Sequence, residues 1–255
     1  MESRLENCRL IRNLRVTDTV YDIELESGFL RDSAQPGQFV QLKCGDGLLL
    51  RRPISVCDRT ERGLRLLYEV RGEGTRWLAE LEEGAILNVL GPLGHGFTVA
   101  PGERVVLVGG GIGVFPLLYC ARTAGRSSTV LLGYRNRAAV TLEQDFRAAA
   151  GEVAIATDDG SYGTRGFVTT LLEERLAKEP ADRVLACGPE PMLKAVAATA
   201  ARHQVPCEIS AEARMGCGFG ACLGCAIRVR GPMGGVYRHV CKDGPVFDAA
   251  DILFE

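Results

Sequence analysis

The sequence lacks a strong excess of either charge. Its 255 residues include 30 lysines and arginines against 32 aspartates and glutamates, for a formal net charge of -2, and no long block of like charge occurs. Proteins that bind nucleic acids or membrane surfaces usually concentrate basic residues in a patch. The composition therefore predicts no nucleic-acid partner and no membrane partner, and it leaves small molecules and other proteins open.

Long apolar segments are also missing. The opening stretch MESRLENCRLIRN mixes acidic and basic side chains and lacks the apolar run of a secretory signal. The longest uncharged apolar run, residues 105–121, is interrupted by four glycines and a proline. Such a run suits a buried strand and turn better than a membrane span. We therefore expect a cytoplasmic protein without a transmembrane segment.

Histidine is scarce as well. The three histidines, His95, His203 and His239, are isolated in the sequence. None has the spacing to a nucleophile and a carboxylate that would predict hydrolytic chemistry. We expect all three to be structural, and we predict no catalytic acid or base in this chain.

The pattern of apolar residues divides the chain into three parts. The first hundred residues contain short runs such as VYDIEL, QFVQLK, LRLLYEV and AILNVLG between glycine and proline turns, which predicts an all-β barrel or sandwich. From Arg104 apolar runs alternate with helical stretches, which predicts a parallel α/β sheet. After Pro206 the chain is rich in glycine and cysteine, and we expect it to fold around a bound group.

The ten cysteines include one informative cluster. Cys217, Cys222 and Cys225 follow the spacing C-x4-C-x2-C, with Cys241 further on, which is the ligand spacing of plant-type two-iron ferredoxins. Structural zinc is the alternative, but four-cysteine zinc sites usually contain two C-x2-C pairs, and only one is present here. The spacing favours a 2Fe-2S cluster. We expect the scattered cysteines to be reduced and mostly buried: Cys8, Cys44, Cys57, Cys120, Cys187 and Cys207.

Two turns in the α/β part are candidates for nucleotide binding. In VVLVGGGIGVFPLL, glycines follow an apolar strand and precede a helical run, so backbone N–H groups can face a phosphate. The fingerprint is imperfect because Val114 occupies its last glycine position, and tight packing alone is the alternative explanation. CGPEPML also ends a strand, with Pro191 near the start of the next helix. Both turns would meet at one crevice.

A pair of arginines marks the β part. In LLLRRPISVCD, Arg51 and Arg52 follow an apolar run, and we interpret them as a strand-end loop whose guanidinium groups suit a diphosphate. A solvated pair of surface arginines is the alternative. Downstream, Tyr68, Gly74 and Thr75 in LYEVRGEGTRWL supply an aromatic surface and backbone donors.

Seven motifs occur in an order typical of one family: RRPIS, GEGT, GPLGHGF, GGGIGV, ATDDGSYG, CGPEPML and EARMGCGFGACLGC. The chain resembles the electron-transfer subunits of class B dihydroorotate dehydrogenases, which are ferredoxin-reductase-like flavoproteins. The resemblance implies a multidomain protein of an N-terminal antiparallel FAD-binding β-barrel (1–100), a central parallel α/β NAD-binding domain (101–206) and a small C-terminal 2Fe-2S domain (207–255). The implied function, in pyrimidine biosynthesis, is to pass electrons from a partner's FMN through 2Fe-2S and FAD to NAD+.

The resemblance also implies which residues hold each cofactor. FAD would contact Arg52, Pro53, Ile54, Ser55, Leu67, Tyr68, Glu69, Gly74 and Thr75. NAD would contact Gly110, Gly111, Gly113, Asp158, Asp159, Cys187, Gly188 and Pro189. Cys217, Cys222, Cys225 and Cys241 would bind the cluster. Arg135 is suited to a 2′-phosphate, whereas Asp158 and Asp159 favour a free ribose, and we expect NAD rather than NADP.

The expected partner is an FMN-containing dihydroorotate dehydrogenase catalytic subunit, in a heterotetramer with two copies of each chain. Two alternatives remain at this point. One is a subunit of another ferredoxin-reductase-like enzyme, of the sulfide dehydrogenase, hydrogenase or ferredoxin:NADP reductase type. The other is a zinc-stabilised nucleotide-sensing module without turnover.

Overall fold

The computed structural model describes residues 2–231 and 234–254. These residues form a closed six-stranded barrel, a seven-stranded sheet flanked by helices, and a two-stranded sheet near the C-terminus. The predicted fold class, an antiparallel barrel followed by a parallel α/β unit and a small C-terminal part, is confirmed.

The barrel is antiparallel throughout and has the strand order β1-β2-β5-β4-β3-β6. Its strands are β1 (Arg4–Arg15), β2 (Val20–Glu26), β3 (Phe39–Leu42), β4 (Arg52–Arg59), β5 (Gly63–Glu69) and β6 (Ile86–Leu93). Two short helices lie in its connections, α1 (Gly28–Ser33) and α2 (Glu73–Ala79). The predicted strand-end loop at the arginine pair is wrong from Arg52 onward, because that residue begins β4 and forms a ladder pair with Leu42.

The register of β3 against β4 decides which side chains leave the barrel. Val40 and Leu42 belong to the barrel core, so the alternation of a strand directs Phe39 and Gln41 to the outside. Gln41 lies opposite Pro53 in the ladder, and Phe39 lies opposite Ser55. The outer face of this strand pair therefore presents Phe39, Gln41, Pro53 and Ser55 together.

The second unit is a sheet of order β10-β9-β8-β7-β11-β12-β15, parallel except for its last strand. Its strands are β7 (Val105–Gly110), β8 (Thr129–Tyr134), β9 (Glu152–Thr157), β10 (Thr164–Arg165), β11 (Arg183–Cys187), β12 (Cys207–Ser210) and β15 (Val246–Asp248). Val105 and Leu107 enter one apolar core and Val106 and Val108 another. This is the burial on both faces that a parallel sheet requires.

Four helices cover the two faces: α3 (Leu117–Ala124), α4 (Glu143–Ala149), α5 (Val168–Lys178) and α6 (Glu190–Arg202). Residues of α3 and α4 pack in the core that contains Leu107, and residues of α5 and α6 pack in the core that contains Val108. Within residues 2–231 and 234–254, no helix is long and apolar enough to cross a membrane.

The cysteine segment, defined here as residues 211–245, lies between two strands of the second sheet. β12 precedes it and β15 follows it, and the two pair with each other in antiparallel fashion. The segment contains the hairpin β13 (Ala226–Gly231) and β14 (Gly234–His239). The sheet thus continues past residue 206, the predicted domain boundary. Ile209 on β12 is fully buried and shares its apolar core with residues of α6.

Ion pairs join the barrel to the second unit. Arg65 on β5 binds Asp22 on β2 at 2.8 Å and Asp145 on α4 at 2.6 Å. Arg122 on α3 pairs with Asp58 on β4 and lies 3.6 Å from Asp145. Because Arg65 and Asp22 are largely shielded from water, with side-chain exposures of 16% and 7%, each charge depends on its partner.

We expect Arg65→Met to destabilise the protein by about 2 kcal/mol, since it removes one of the two arginines, Arg65 and Arg12, that pair with the buried Asp22 carboxylate. Urea unfolding of the purified protein measures this change. The matched control is Arg62→Met, because the Arg62–Glu26 pair is exposed (55% and 41%) and should contribute less than about 1 kcal/mol. Equal losses in the two variants would contradict the structural role assigned to Arg65.

Candidate functional site

A cavity of about 960 Å³ lies where the barrel meets the second sheet. Both units contribute to its walls. The barrel side supplies Thr17, Thr19, Val20, Glu69 and Arg71, and the two strand-end turns of the sheet supply Gly110, Gly111, Gly113, Gly188 and Pro189. The two predicted nucleotide turns therefore meet at one crevice, at the carboxyl ends of β7 and β11.

Glycine is required at these turns because they pack directly against each other. A β-carbon at Gly113 would lie 2.4 Å from the carbonyl oxygen of Cys187, and one at Gly110 would lie 2.5 Å from the sulfur of Met192. Gly111 instead has a positive φ of 55° and open space around it. Tight packing therefore explains Gly110 and Gly113, while the backbone of Gly111 remains free to face a ligand.

The remaining predicted NAD residues divide into two groups. Asp158 lines the cavity, as does Arg135, the residue suited to a 2′-phosphate. Asp159 instead accepts hydrogen bonds from the backbone N–H (2.9 Å) and hydroxyl (2.6 Å) of Ser161. Cys187 is buried, at 4% exposure, and burial raises the pKa of its thiol to about 12. Cys187 is therefore a neutral thiol under the glycine turn.

The predicted FAD residues gather on β4, β5 and the start of α2. The Arg52 guanidinium packs on Gly74, where a β-carbon would lie 2.4 Å from Arg52 Nε. The Thr75 hydroxyl accepts hydrogen bonds from the N–H groups of Arg71 (2.9 Å) and Gly72 (3.1 Å). Pro53 and Ser55 are half-buried. Ile54, Leu67 and Tyr68 instead belong to apolar cores.

Two buried polar groups near these strands have no hydrogen-bond partner among residues 2–231 and 234–254. They are the Tyr68 hydroxyl and the Gln41 side-chain amide. Burial raises the pKa of Tyr68 well above its usual value, so the phenol stays neutral. Since buried polar groups are rarely left unpaired, these atoms are available to an additional polar ligand on this side of the barrel.

The four clustered cysteines form two pairs. Cys225 Sγ and Cys241 Sγ are 3.2 Å apart, and both residues are buried. Cys217 and Cys222 form the other pair, joined by a thiol hydrogen bond. In residues 2–231 and 234–254, no three His, Cys, Asp or Glu side chains surround one metal-ion position. Two pairs suit a two-iron cluster, where each iron takes two thiolates, better than one tetrahedral zinc.

Backbone N–H groups surround the Cys217 sulfur. Phe219, Ala221 and Cys222 donate to it at 3.5, 3.3 and 3.4 Å. Burial raises the pKa of this thiol, but these donors and the Cys222 thiol outweigh it and lower the pKa to about 6. For Cys241, burial and then the neighbouring Cys225 raise the pKa to about 12. The Cys217 thiol thus ionises more readily than an ordinary cysteine before any metal binds.

The cysteine segment packs on the outer face of the barrel. Phe39 and Leu93 share an apolar cluster with Cys225, Val240 and Cys241. Next to them, Gly218 lies against the side chain of Gln41. The buried thiol pair therefore packs against the strand pair that carries Pro53 and Ser55.

Comparison with known proteins agrees with this arrangement. Residues 212–253 match the model of the iron-sulfur cluster binding domain of dihydroorotate dehydrogenase B. The chain is 42% identical over 247 residues to the electron transfer subunit of dihydroorotate dehydrogenase B (NAD(+)) from Caldanaerobacter subterraneus subsp. tengcongensis, covering 96% of this chain and 97% of that protein. This chain belongs to that family.

Solved structures extend the comparison to the fold. A chain of the NADH-dependent reduced ferredoxin-NADP oxidoreductase, studied for flavin-based electron bifurcation, superposes with a TM-score of 0.85 at 29% identity and covers 97% of this chain and 90% of that one. A ferredoxin NADP+ reductase from Neisseria gonorrhoeae shares the fold over 79% of this chain and 92% of its own, with a TM-score of 0.64 and 17% identity. The resemblance of this member of the dihydroorotate dehydrogenase B family to ferredoxin reductases is confirmed.

Sequence reasoning missed three residues that the structure brings to these sites. Arg71 and Glu212 line the cavity, and Gln41 lies beside the cysteine segment. Glu212 directly precedes the motif ARMGC, so its closeness to the cysteines in the sequence could have indicated that it lies near the sites. Gln41 has no such signal, because only the register of β3 places it near Pro53 and Gly218.

We expect Cys217 of the metal-free protein to be alkylated through a thiolate that is half-formed near pH 6. The pKa is lowered, so the reactive form is present above that pH and is lost as the pH falls through it. The rate of iodoacetamide labelling, followed by peptide mass spectrometry from pH 5 to 10, measures this. Cys217→Ser should remove the low-pH phase. A midpoint near the ordinary thiol value of about 8.5 would contradict the prediction.

Proposed function

We propose that this chain transfers electrons between NAD(H) and a catalytic partner subunit, as the electron-transfer component of a dihydroorotate dehydrogenase. Membership in the family supports this function, and its fold is that of flavin-dependent reductases. The cofactors are FAD and a 2Fe-2S cluster, with NAD as the substrate. The enzyme is an oxidoreductase whose product, orotate, serves pyrimidine biosynthesis.

One structural observation carries the proposal: three candidate sites lie next to one another in space. The cavity borders the barrel at Glu69. The predicted FAD residues lie on β4, β5 and α2. The cysteine segment packs beside them on β3. A nicotinamide nucleotide, a flavin and a cluster would thus occupy neighbouring positions. A flavin held by these residues would supply hydride exchange with nicotinamide and single-electron exchange with a cluster, which is chemistry that no side chain supplies.

The chain's own residues would bind and orient the flavin and the nucleotide. Arg52 would offer a fixed fork of donors to the flavin diphosphate, and the lack of a side chain at Gly74 leaves room for that guanidinium. The strand-end turns present the backbone of Gly111 and Gly188 to the nucleotide phosphates. Asp158 would accept the ribose hydroxyls, which favours NAD over NADP. Asp159 is occupied by Ser161 and is a weaker candidate for that role.

The four clustered cysteines are the proposed cluster ligands. Cys217 and Cys222 would bind one iron, and Cys225 and Cys241 the other, because the thiols are already paired in this way. Backbone N–H groups around Cys217 would stabilise the negative charge of the loaded site. The remaining six cysteines are buried in the structure, and none of them forms part of this arrangement.

The partner is a separate catalytic subunit, which we propose contains FMN and oxidises dihydroorotate. We further propose a heterotetramer with two copies of each chain. No catalytic acid or base is assigned to the present chain, since its part is electron transfer. The nearest competing proposal is a ferredoxin:NADP reductase type of subunit, suggested by the full-length superposition at 29% identity.

We expect Arg52→Ala to weaken FAD binding about 30-fold, which corresponds to about 2 kcal/mol for a lost charge-assisted contact. The flavin content of the purified protein and the affinity on reconstitution with FAD measure this. Arg59→Ala, at the opposite end of β4, is the matched control and should retain flavin. Full FAD occupancy in Arg52→Ala would refute the diphosphate role.

The function itself is tested by reconstitution. The purified chain should oxidise NADH with artificial acceptors and show no reaction with dihydroorotate. Adding an FMN-containing dihydroorotate dehydrogenase subunit should produce NADH from dihydroorotate and NAD+, and Cys225→Ser should abolish this coupling. Reduction of the isolated chain's flavin by dihydroorotate would refute the division of labour, and coupling to reduced ferredoxin alone would favour the competing proposal.

A further inference from the structure

The Gln41 side chain is a buried amide that the protein itself does not satisfy. It is fully buried, and neither Nε2 nor Oε1 has a hydrogen-bond partner in the part of the chain that the structure describes. A nearby glutamine shows the usual arrangement, because Gln38 is also fully buried but donates to the carbonyl of Gly94 at 2.7 Å and accepts from the N–H of Gln35 at 2.8 Å. An unpaired amide in such a position points to a partner that binds later.

Gln41 lies between two proposed cofactor sites. Its ladder partner is Pro53 on β4, at the proposed flavin face. Its other neighbour is Gly218, which directly follows the cluster ligand Cys217. The backbone of Gln41 is fixed, since Arg51 donates to its carbonyl oxygen at 3.3 Å and also to that of Asn88 at 3.1 Å.

The cysteine segment is shaped to admit this amide. A β-carbon at Gly218 would lie 2.5 Å from Gln41 Nε2 and 2.7 Å from its Cγ. Gly218 also has a φ of 84°, which side chains other than glycine rarely adopt. The nitrogen end of the amide therefore reaches the loop that carries Cys217.

The loop that carries Cys217 already directs hydrogen-bond donors toward sulfur. The Cys217 sulfur already accepts three backbone N–H groups from Phe219, Ala221 and Cys222, so the loop gathers donors toward sulfur. We propose that the Gln41 amide donates a further N–H hydrogen bond to the sulfur shell of the bound 2Fe-2S cluster and thereby raises its reduction potential. This inference rests on the proposed function, since it assumes the cluster.

The direction of the change in reduction potential follows from the charge of the cluster. Reduction adds one negative charge to the cluster, so a donor hydrogen bond stabilises the reduced form more than the oxidised form. Removing the donor lowers the potential. The effect on the flavin should be small, because the nitrogen end of Gln41 lies against Gly218 in the cysteine segment.

The test is an EPR-monitored redox titration of the holoprotein carrying Gln41→Met. Methionine has the same unbranched length, so it fits against Gly218 but offers no donor. We expect the equilibrium constant for cluster reduction to fall about tenfold, which is 59 mV for a one-electron couple. The FAD midpoint, followed by absorbance in the same samples, should be unchanged.

Two further variants separate this role from a structural one. Gln38→Met removes a buried amide that is already paired, so it should lower the thermal stability and leave the cluster potential unchanged. Gln41→His retains an N–H donor and should keep the potential closer to that of the wild-type protein. An unchanged cluster potential in Gln41→Met, or a shift of the flavin midpoint instead, would overturn the inference. Absence of any 2Fe-2S signal from the wild-type protein would instead refute the proposed function.

Discussion

The register of β3 against β4 is the constraint on which the functional arrangement depends. A strand directs alternate side chains to opposite faces, so a slip of one residue would exchange the two sets. In the observed register Val40 and Leu42 fill the barrel, while Phe39 supports the cysteine segment and Pro53 and Ser55 stay on the outer face. The flavin face and the cluster segment are neighbours because one strand pair carries both.

A second constraint fixes the nucleotide cavity relative to that strand pair. The cavity has walls from both units, so its shape depends on how the barrel and the sheet are held together. The ion pairs of Arg65 and Arg122 cross this junction and converge on Asp145. Because hydride transfer requires close and oriented reactants, charges far from the cavity contribute to its geometry.

Local signals explain what the sequence could predict. The strand-helix alternation and the glycine turns each involve a short stretch, and each led to an element that the structure contains. The C-x4-C-x2-C spacing is equally local, and it lies within the residues that match the iron-sulfur domain of the family. Arg51 and Arg52 show the limit, because they are adjacent in sequence yet one anchors β3 and β6 while the other packs on Gly74. The pairing of β12 with β15 and the position of Gln41 depend on contacts between distant parts of the chain. No local pattern encodes such contacts.

The difference between the two thiol pairs suggests how electrons enter and leave the proposed cluster. Cys225 and Cys241 are buried against Phe39, which directs their side of the site toward the barrel and its flavin face. Cys222 is exposed, and Phe219 and Leu223 near it are 56% and 61% exposed. An apolar patch beside an exposed redox centre suits contact with a partner protein. The proposed cluster would then have one iron toward the flavin and the other toward the catalytic subunit, so that the order of the sites in space matches the order of electron transfer.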